Sequence, residues 1–192
     1  MATTDRHTAD HGAFLVVDLQ DKLVATIGDR ERVVANTLRL GRAARLLRMM
    51  MFATEQYPVG LGGSIAEVAE LIPERHEKTV FHCCAIPQLL EQLYYRKIRH
   101  VTLAGIEAHV CVAQTALELM KLGFRVQIPA DAVGSRHRID LDFALRRLEH
   151  AGATVSTTEA VIFEWAEQSD RPEFKALSAM IKADEPRRLA ED

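Results

Sequence analysis

Three side chains of complementary chemistry, Asp18, Lys78 and Cys111, each lie beside a short apolar run. Asp18 closes FLVVD (14–18), Cys111 follows VTLAGIEAHV (101–110), and Lys78 precedes Thr79, Val80 and Phe81, which read as a strand. A thiol attacks only as thiolate, so it needs a base and gains from a nearby cation. A carboxylate to take the proton, an ammonium to hold the resulting anions and a cysteine to attack form a complete set for acyl transfer. Each residue taken singly also has an ordinary reading: Asp18 as a helix cap or loop acid, Lys78 as a surface lysine, Cys111 as a small buried apolar group.

Position separates Cys111 from the other thiols. The run 101–104 leads through Gly105 into a short turn and then a helix carrying Val112, Ala113, Ala116 and Leu117. A thiol at that helix N-terminus meets the positive end of the dipole and unpaired N–H groups, which favour thiolate and can hold an oxyanion. Cys83 and Cys84 are adjacent, the total of three cysteines is odd, and no C-x-x-C occurs. A disulfide framework and a zinc site are therefore not expected, and an adjacent-residue disulfide is strained, so the pair reads as packing thiols. Isolated cysteines, a polar stretch over 1–12 and no 18-residue apolar run predict a reducing, cytoplasmic setting without a membrane span.

The elements that must carry these groups follow from hydrophobic spacing. Apolar runs at 13–17, 50–53, 101–104, 124–128 and 153–156 have the length of buried strands. Helical spacing lies between them, as in Leu141, Ala144, Leu145 and Leu148 before Gly152, and in segments at 31–48, 87–96 and 110–122 before Gly123. Alternation of this kind predicts a three-layer doubly wound α/β fold with a parallel sheet, in which ligands sit beyond the carboxyl ends of the strands. The whole chain, 1–192, reads as one domain, with 1–12 an N-terminal extension and 183–192 a polar tail.

Charge narrows the partners. Lys and Arg number 24 against 27 Asp and Glu, a net of −3, so no positive field collects nucleic acid or an anionic membrane. Arg39, Arg42, Arg45 and Arg48 recur at every third position and read as a solvated helix face. A small molecule in a strand-end cleft is the expected partner. Gln20, Tyr57 and His109 flank the strand-end motifs, either lining the cleft or serving as structural hydrogen bonders. Asp131 and Arg136 also fall at a strand end, where the arginine either grips a substrate carboxylate or stays solvated. Phe163, Trp165, Phe174, Leu177 and Met180 offer apolar surface beyond what one domain buries, which predicts a homo-oligomer.

The segments FLVVDLQ (14–20), ATEQYPVGLG (53–62), EKTVF (77–81), GIEAHVCVAQTALEL (105–119) and PADAVGSR (129–136), in that order, resemble the isochorismatase-like cysteine hydrolase superfamily, most closely its isochorismatase-domain-containing branch. The resemblance continues through TTEAVIFEW (157–165) and PEFKALSAMIK (172–182) and so covers nearly the whole chain. It implies a six-stranded parallel sheet, with Asp18 as base, Lys78 as cation and Cys111 as nucleophile. It also implies a cis peptide between Ile106 and Glu107 that aims the N–H groups of Glu107 and Cys111 at one point, the oxyanion hole. Superfamily members usually self-assemble. Two departures matter. Nicotinamidase relatives carry an Asp-x-His metal motif where this chain reads Glu55, Gln56, Tyr57, so no metal and no other cofactor is expected. True isochorismatases typically lack the cysteine, so Cys111 favours acyl chemistry on a small amide-like substrate through a thioester. The alternative is a catalytically silent member serving as an oligomeric binding module.

Overall fold

In the computed structural model, which describes residues 6–183, the run Gly12–Val17 forms β1, buried along its whole length as a central strand of a parallel sheet must be. The order continues α1 (Asp21–Val24), α2 (Arg30–Leu46), β2 (Met50–Gln56), α3 (Pro58–Leu61), α4 (Ala66–Leu71), β3 (Arg75–Lys78), α5 (Pro87–Tyr95) and β4 (His100–Ile106). It ends with α6 (Ala113–Lys121), β5 (Arg125–Pro129), β6 (Val133–Gly134), α7 (Arg138–His150), β7 (Thr154–Ser156), α8 (Thr158–Ala166) and α9 (Phe174–Ala183). Gly123 and Gly152, the expected helix stops, follow α6 and α7 with φ of 90° and 105°, a left-handed conformation that favours glycine.

Successive residues of β1 point to opposite faces and feed two cores. Phe14 and Val16 join Leu40 and Ala44 of α2, Trp165 of α8 and Leu177 of α9 on one face. Ala13, Leu15 and Val17 join Leu89 of α5, Leu119 of α6 and Leu148 of α7 on the other. The three-layer expectation therefore holds. The apolar C-terminal segment does not stand proud as expected, because Trp165 and Leu177 are core residues and only Phe163 of the group is largely exposed.

All strand pairs are parallel, in the order β3-β2-β1-β4-β5-β7. This path has the six strands implied, but the sheet has a seventh, β6, beside β4. β5 follows β4 only over His100–Thr102; the chain then leaves at Pro129 and returns so that Val133 and Gly134 pair with Gly105 and Ile106. A two-residue strand carries no period for a sequence pattern to register.

The expected strand over 79–81 is displaced. The strand is the polar edge segment Arg75–Lys78, and Val80 and Phe81 lie past its end at 47% and 50% exposure. An edge strand with a solvated face needs no apolar run, so hydrophobicity marked the wrong residues. Lys78 consequently closes a strand, as Asp18 does. The arginine row of α2 is also not a plain solvated face, since Arg39 is buried and Arg45 donates to Leu71 O at 2.6 Å.

Within the N-terminal extension, His7 and Ala9 are buried and Gly12 already belongs to β1. Residues 1–5 lie outside the described region. Of the polar tail, Ala183 ends α9 and 184–192 are likewise outside it. Among the described residues no helix is long and apolar enough to cross a membrane.

Candidate active site

β1 stops where Asp18 adopts a left-handed backbone, φ 51°, a conformation that Asp tolerates better than most residues. The turn leaves its carboxylate fully buried at the carboxyl end of the sheet. Each oxygen has a donor: Lys78 Nζ reaches Oδ2 at 2.7 Å and Thr54 Oγ1 reaches Oδ1 at 2.7 Å. Register explains the meeting, because β2 lies between β1 and β3 and places Gln56 opposite Lys78.

Lys78 also donates to Gln56 Oε1 at 2.6 Å. Burial works against its charge, but Asp18 outweighs it and raises the ammonium above the ordinary lysine range. The side chains of this pair are 1% and 0% exposed, so it is a buried ion pair whose members depend on each other.

Cys111 sits inside a π-helical turn, Ala108–Val112, that opens α6. Such turns recur at functional sites because they re-aim a side chain within a helix. Val110 and Val112 both donate their backbone N–H to Glu107 O, at 3.1 and 3.2 Å, and the Ile106–Glu107 peptide just before is cis. The thiol lies 4.0 Å from Gln56 Oε1. Burial, then the charge of Asp18, pushes the Cys111 thiol well up, and Lys78 offsets only part of this. Burial and the buried Asp18 charge therefore work against the thiolate that the helix N-terminus favours, and Lys78 works for it.

Gln56 is the residue that sequence reading passed over. Its carboxamide accepts from Lys78, its Nε2 donates to Thr79 O at 2.8 Å, and it faces Cys111. It closes β2 as Asp18 closes β1, and ending that strand at 53 rather than 56 hid it. Gln20 is buried: its amide donates to Gln56 O and Gly62 O at 3.0 and 2.6 Å and accepts from Gln56 N at 2.7 Å. It clamps the β1 and β2 loops together. Tyr57, half-exposed with φ 41°, donates its N–H to Lys78 O at 2.8 Å, which ties the two strand ends.

His109 lies apart from the ion pair, with Nδ1 3.0 Å from Ser135 Oγ and 3.5 Å from Glu107 Oε2. Arg136 Nε meets Glu107 Oε1 at 2.8 Å, so its guanidinium is paired within the chain rather than simply solvated. Asp131 accepts from Thr158 N and Oγ1 at 2.8 and 2.9 Å and caps α8. Cys83 and Cys84 are reduced and buried, their thiols pushed up by burial to about 11 and about 12. Cys83 packs directly behind the ion pair, 3.6 Å from Thr54 Oγ1. Among the described residues no three or more His, Cys, Asp or Glu converge as a metal site. Glu55 accepts from Ser64 N and Oγ at 2.8 Å.

Similarity to known proteins places the fold in a family. The isochorismatase domain family model matches residues 12–160. Isochorismatase domain-containing protein 2 of Danio rerio is 35% identical over 186 residues, spanning 97% of this chain and 94% of that protein. The structure of the MAR1 ribonuclease from Caenorhabditis elegans superposes with a TM-score of 0.88 at 38% identity, covering 93% of each chain. The YcaC gene product of Escherichia coli, an octameric hydrolase of unknown specificity, shares the fold at a TM-score of 0.87 and 22% identity, over 98% of this chain and 97% of that one. A match running from the opening of β1 into α8, with relatives aligned over almost their full length, means that the chain belongs to the isochorismatase-like hydrolase superfamily.

Proposed function

We propose that this protein is a cysteine hydrolase that cleaves a small amide-like acyl substrate through a thioester on Cys111. The observation that carries the reading is the buried Asp18 carboxylate, held by Lys78 at 2.7 Å on one oxygen, beside a thiol whose ionisation burial and Asp18 oppose. A base next to a neutral thiol transfers the proton during attack rather than before it.

In the proposed sequence, Asp18 takes the Cys111 proton as the S–C bond forms, and the carbonyl π electrons move onto oxygen. The backbone N–H groups of Glu107 and Cys111 receive that oxyanion. Asp18 returns the proton to the leaving nitrogen as the C–N bond breaks and amine departs. Water then attacks the thioester with Asp18 accepting its proton, the C–S bond breaks, and the proton returns to sulfur. Lys78 stays charged throughout and pairs with the Asp18 carboxylate each time it forms; Gln56 orients Lys78. No step requires a metal or other cofactor, and the partner is a small molecule entering at the strand ends. The chain is proposed to fold as one domain and, in line with the octameric YcaC protein, to work as a homo-oligomer in a reducing compartment.

Iodoacetamide followed by mass spectrometry should label Cys111 and spare Cys83 and Cys84. A panel of small amides, ureas and esters should reveal turnover that Cys111→Ala abolishes. Labelling confined to Cys83 or Cys84 sinks the proposal. The name of the C. elegans relative supports a second reading, cleavage of RNA. RNA hydrolysis lost in Cys111→Ala, with no turnover of any acyl compound, would replace the amide reading. A Cys111 that labels no faster than in Asp18→Asn favours the silent binding module.

A further inference from the structure

Behind the ion pair lie three buried groups that the proposed reaction does not use: Thr54, Cys83 and Thr115. Counting protons sets the direction of their hydrogen bonds. An ionised carboxylate only accepts, so the 2.7 Å contact between Thr54 Oγ1 and Asp18 Oδ1 takes the single proton of the Thr54 hydroxyl. The Thr54 oxygen then has only lone pairs to offer Cys83 Sγ, 3.6 Å away, and the Cys83 S–H must be the donor. Thr115 Oγ1 in turn accepts from Cys83 N at 3.0 Å and donates to Cys83 Sγ at 3.3 Å. All four residues are at most 1% exposed, so water does not substitute for any link.

We infer that Thr115, Cys83 and Thr54 form a one-way donor chain that positions Asp18 as the base, which makes Thr54 and Cys83 positioning residues and assigns a task to a thiol that otherwise only packs. The inference rests on Asp18 acting on Cys111. Lys78 on Oδ2 alone would leave the carboxylate free to swing about its Cβ–Cγ bond. With Thr54 on Oδ1 as well, both oxygens are pinned and the plane of the carboxylate is set. Each donor in the chain is polarised by the one behind it, which strengthens the terminal bond to Asp18. Cys83 can serve only while it keeps its proton, and its burial, which holds the thiol at about 11, ensures that at neutral pH.

The test compares isosteric variants through the rate at which iodoacetamide alkylates Cys111 at pH 7, with thermal melting as a control for folding. Thr54→Val keeps the shape and removes the hydroxyl; it should slow labelling about 10- to 100-fold, the scale of a reacting group misplaced by an ångström or less. Thr54→Ser restores the donor and should return the rate to within about 3-fold of wild type. Cys83→Ala should slow labelling by a smaller factor, with Cys83→Ser recovering part of it. A folded Thr54→Val that labels at the wild-type rate overturns the chain. If Thr54→Val does not fold, equal rates for Cys83→Ala and wild type overturn it. Asp18→Asn separates the two readings: slow labelling there with normal labelling in Thr54→Val discards the chain alone, whereas normal labelling in Asp18→Asn discards Asp18 as base.

Discussion

The two ends of the central strands handle buried titratable groups in opposite ways. At the carboxyl end, beyond Val17 and Ile106, Asp18 and Lys78 form a buried ion pair 2.7 Å apart, each with further donors or acceptors besides. At the amino end, where β4 begins, the rings of His7 and His100 lie 4.9 Å apart, both buried. Neither ring nitrogen of His100, nor Nδ1 of His7, has a hydrogen-bond partner. Burial, followed for His7 by the nearby charge of Arg125, lowers both histidines to about 4, so both are neutral near pH 7. Glu164 stands near this pair but accepts from His7 N at 2.8 Å and Gln127 Nε2 at 2.6 Å. Charge survives burial where it is paired in good geometry and is titrated away where it is not. One end of the sheet therefore holds a buried ion pair, and the other a pair of neutral imidazole rings.

Breaking the pair at the carboxyl end should have the largest effect. Lys78→Met strands the Asp18 carboxylate in the interior and should cost about 3–5 kcal/mol in chemical denaturation, along with loss of Cys111 labelling. A loss under about 1 kcal/mol would show that the ion pair is not what holds this end together. On the alkaline side the Lys78 contribution should persist up to its ordinary pKa and fade only as pH rises through its higher folded value.

The amino end should fail in acid instead. Unfolded histidines bind protons near pH 6.5 and the folded pair only near 4, so the unfolded state holds more protons between those values. Stability should therefore fall as pH drops from 6.5 to about 4, by roughly 2–3 kcal/mol for each histidine. Melting curves of wild type and His100→Leu across that window provide the check. A variant with the same pH slope as wild type removes the histidines from the account.

Gly105 joins the two ends through β4. A Cβ there would approach Val17 O to 2.1 Å, and φ is 116°, so Gly105→Ala pushes β1 and β4 apart just below Asp18. A loss of about 1–3 kcal/mol is expected, with labelling of Cys111 slowed more than the histidine-dependent acid transition is shifted. Equal disturbance of both ends would mean the strands transmit strain along their length. Least affected should be the rim. Arg136 is about half exposed in its pairing with Glu107, so Arg136→Ala should change stability by less than about 1 kcal/mol.

Much of the carboxyl end was legible in the chain because strand ends are marked by where apolar periodicity stops. Asp18 and Cys111 were found in that way. Lys78 was found beside an apolar run that proved to be past the strand, and Gln56 was missed through three residues of strand length. Thr54 and Cys83 carried no signal, since a threonine within a strand and a buried thiol look alike whether they pack or donate. The amino end was unreadable for the same reason: about half of the chain separates His7 from His100, and only the folded structure brings their rings into contact.

What the sequence alone determined was local: the alternation of strand and helix, the glycine stops after α6 and α7, the sign of the net charge, and the motifs that resemble one superfamily. These depend on backbone geometry and side-chain type over a few residues. The tertiary structure decided which polar groups meet, because Asp18 reaches Thr54 across 36 residues and Lys78 across 60. It also set the balance at Cys111, where burial and the charge of Asp18 push the thiol up and Lys78 pulls it down, because packing and distance rather than residue type fix each of these.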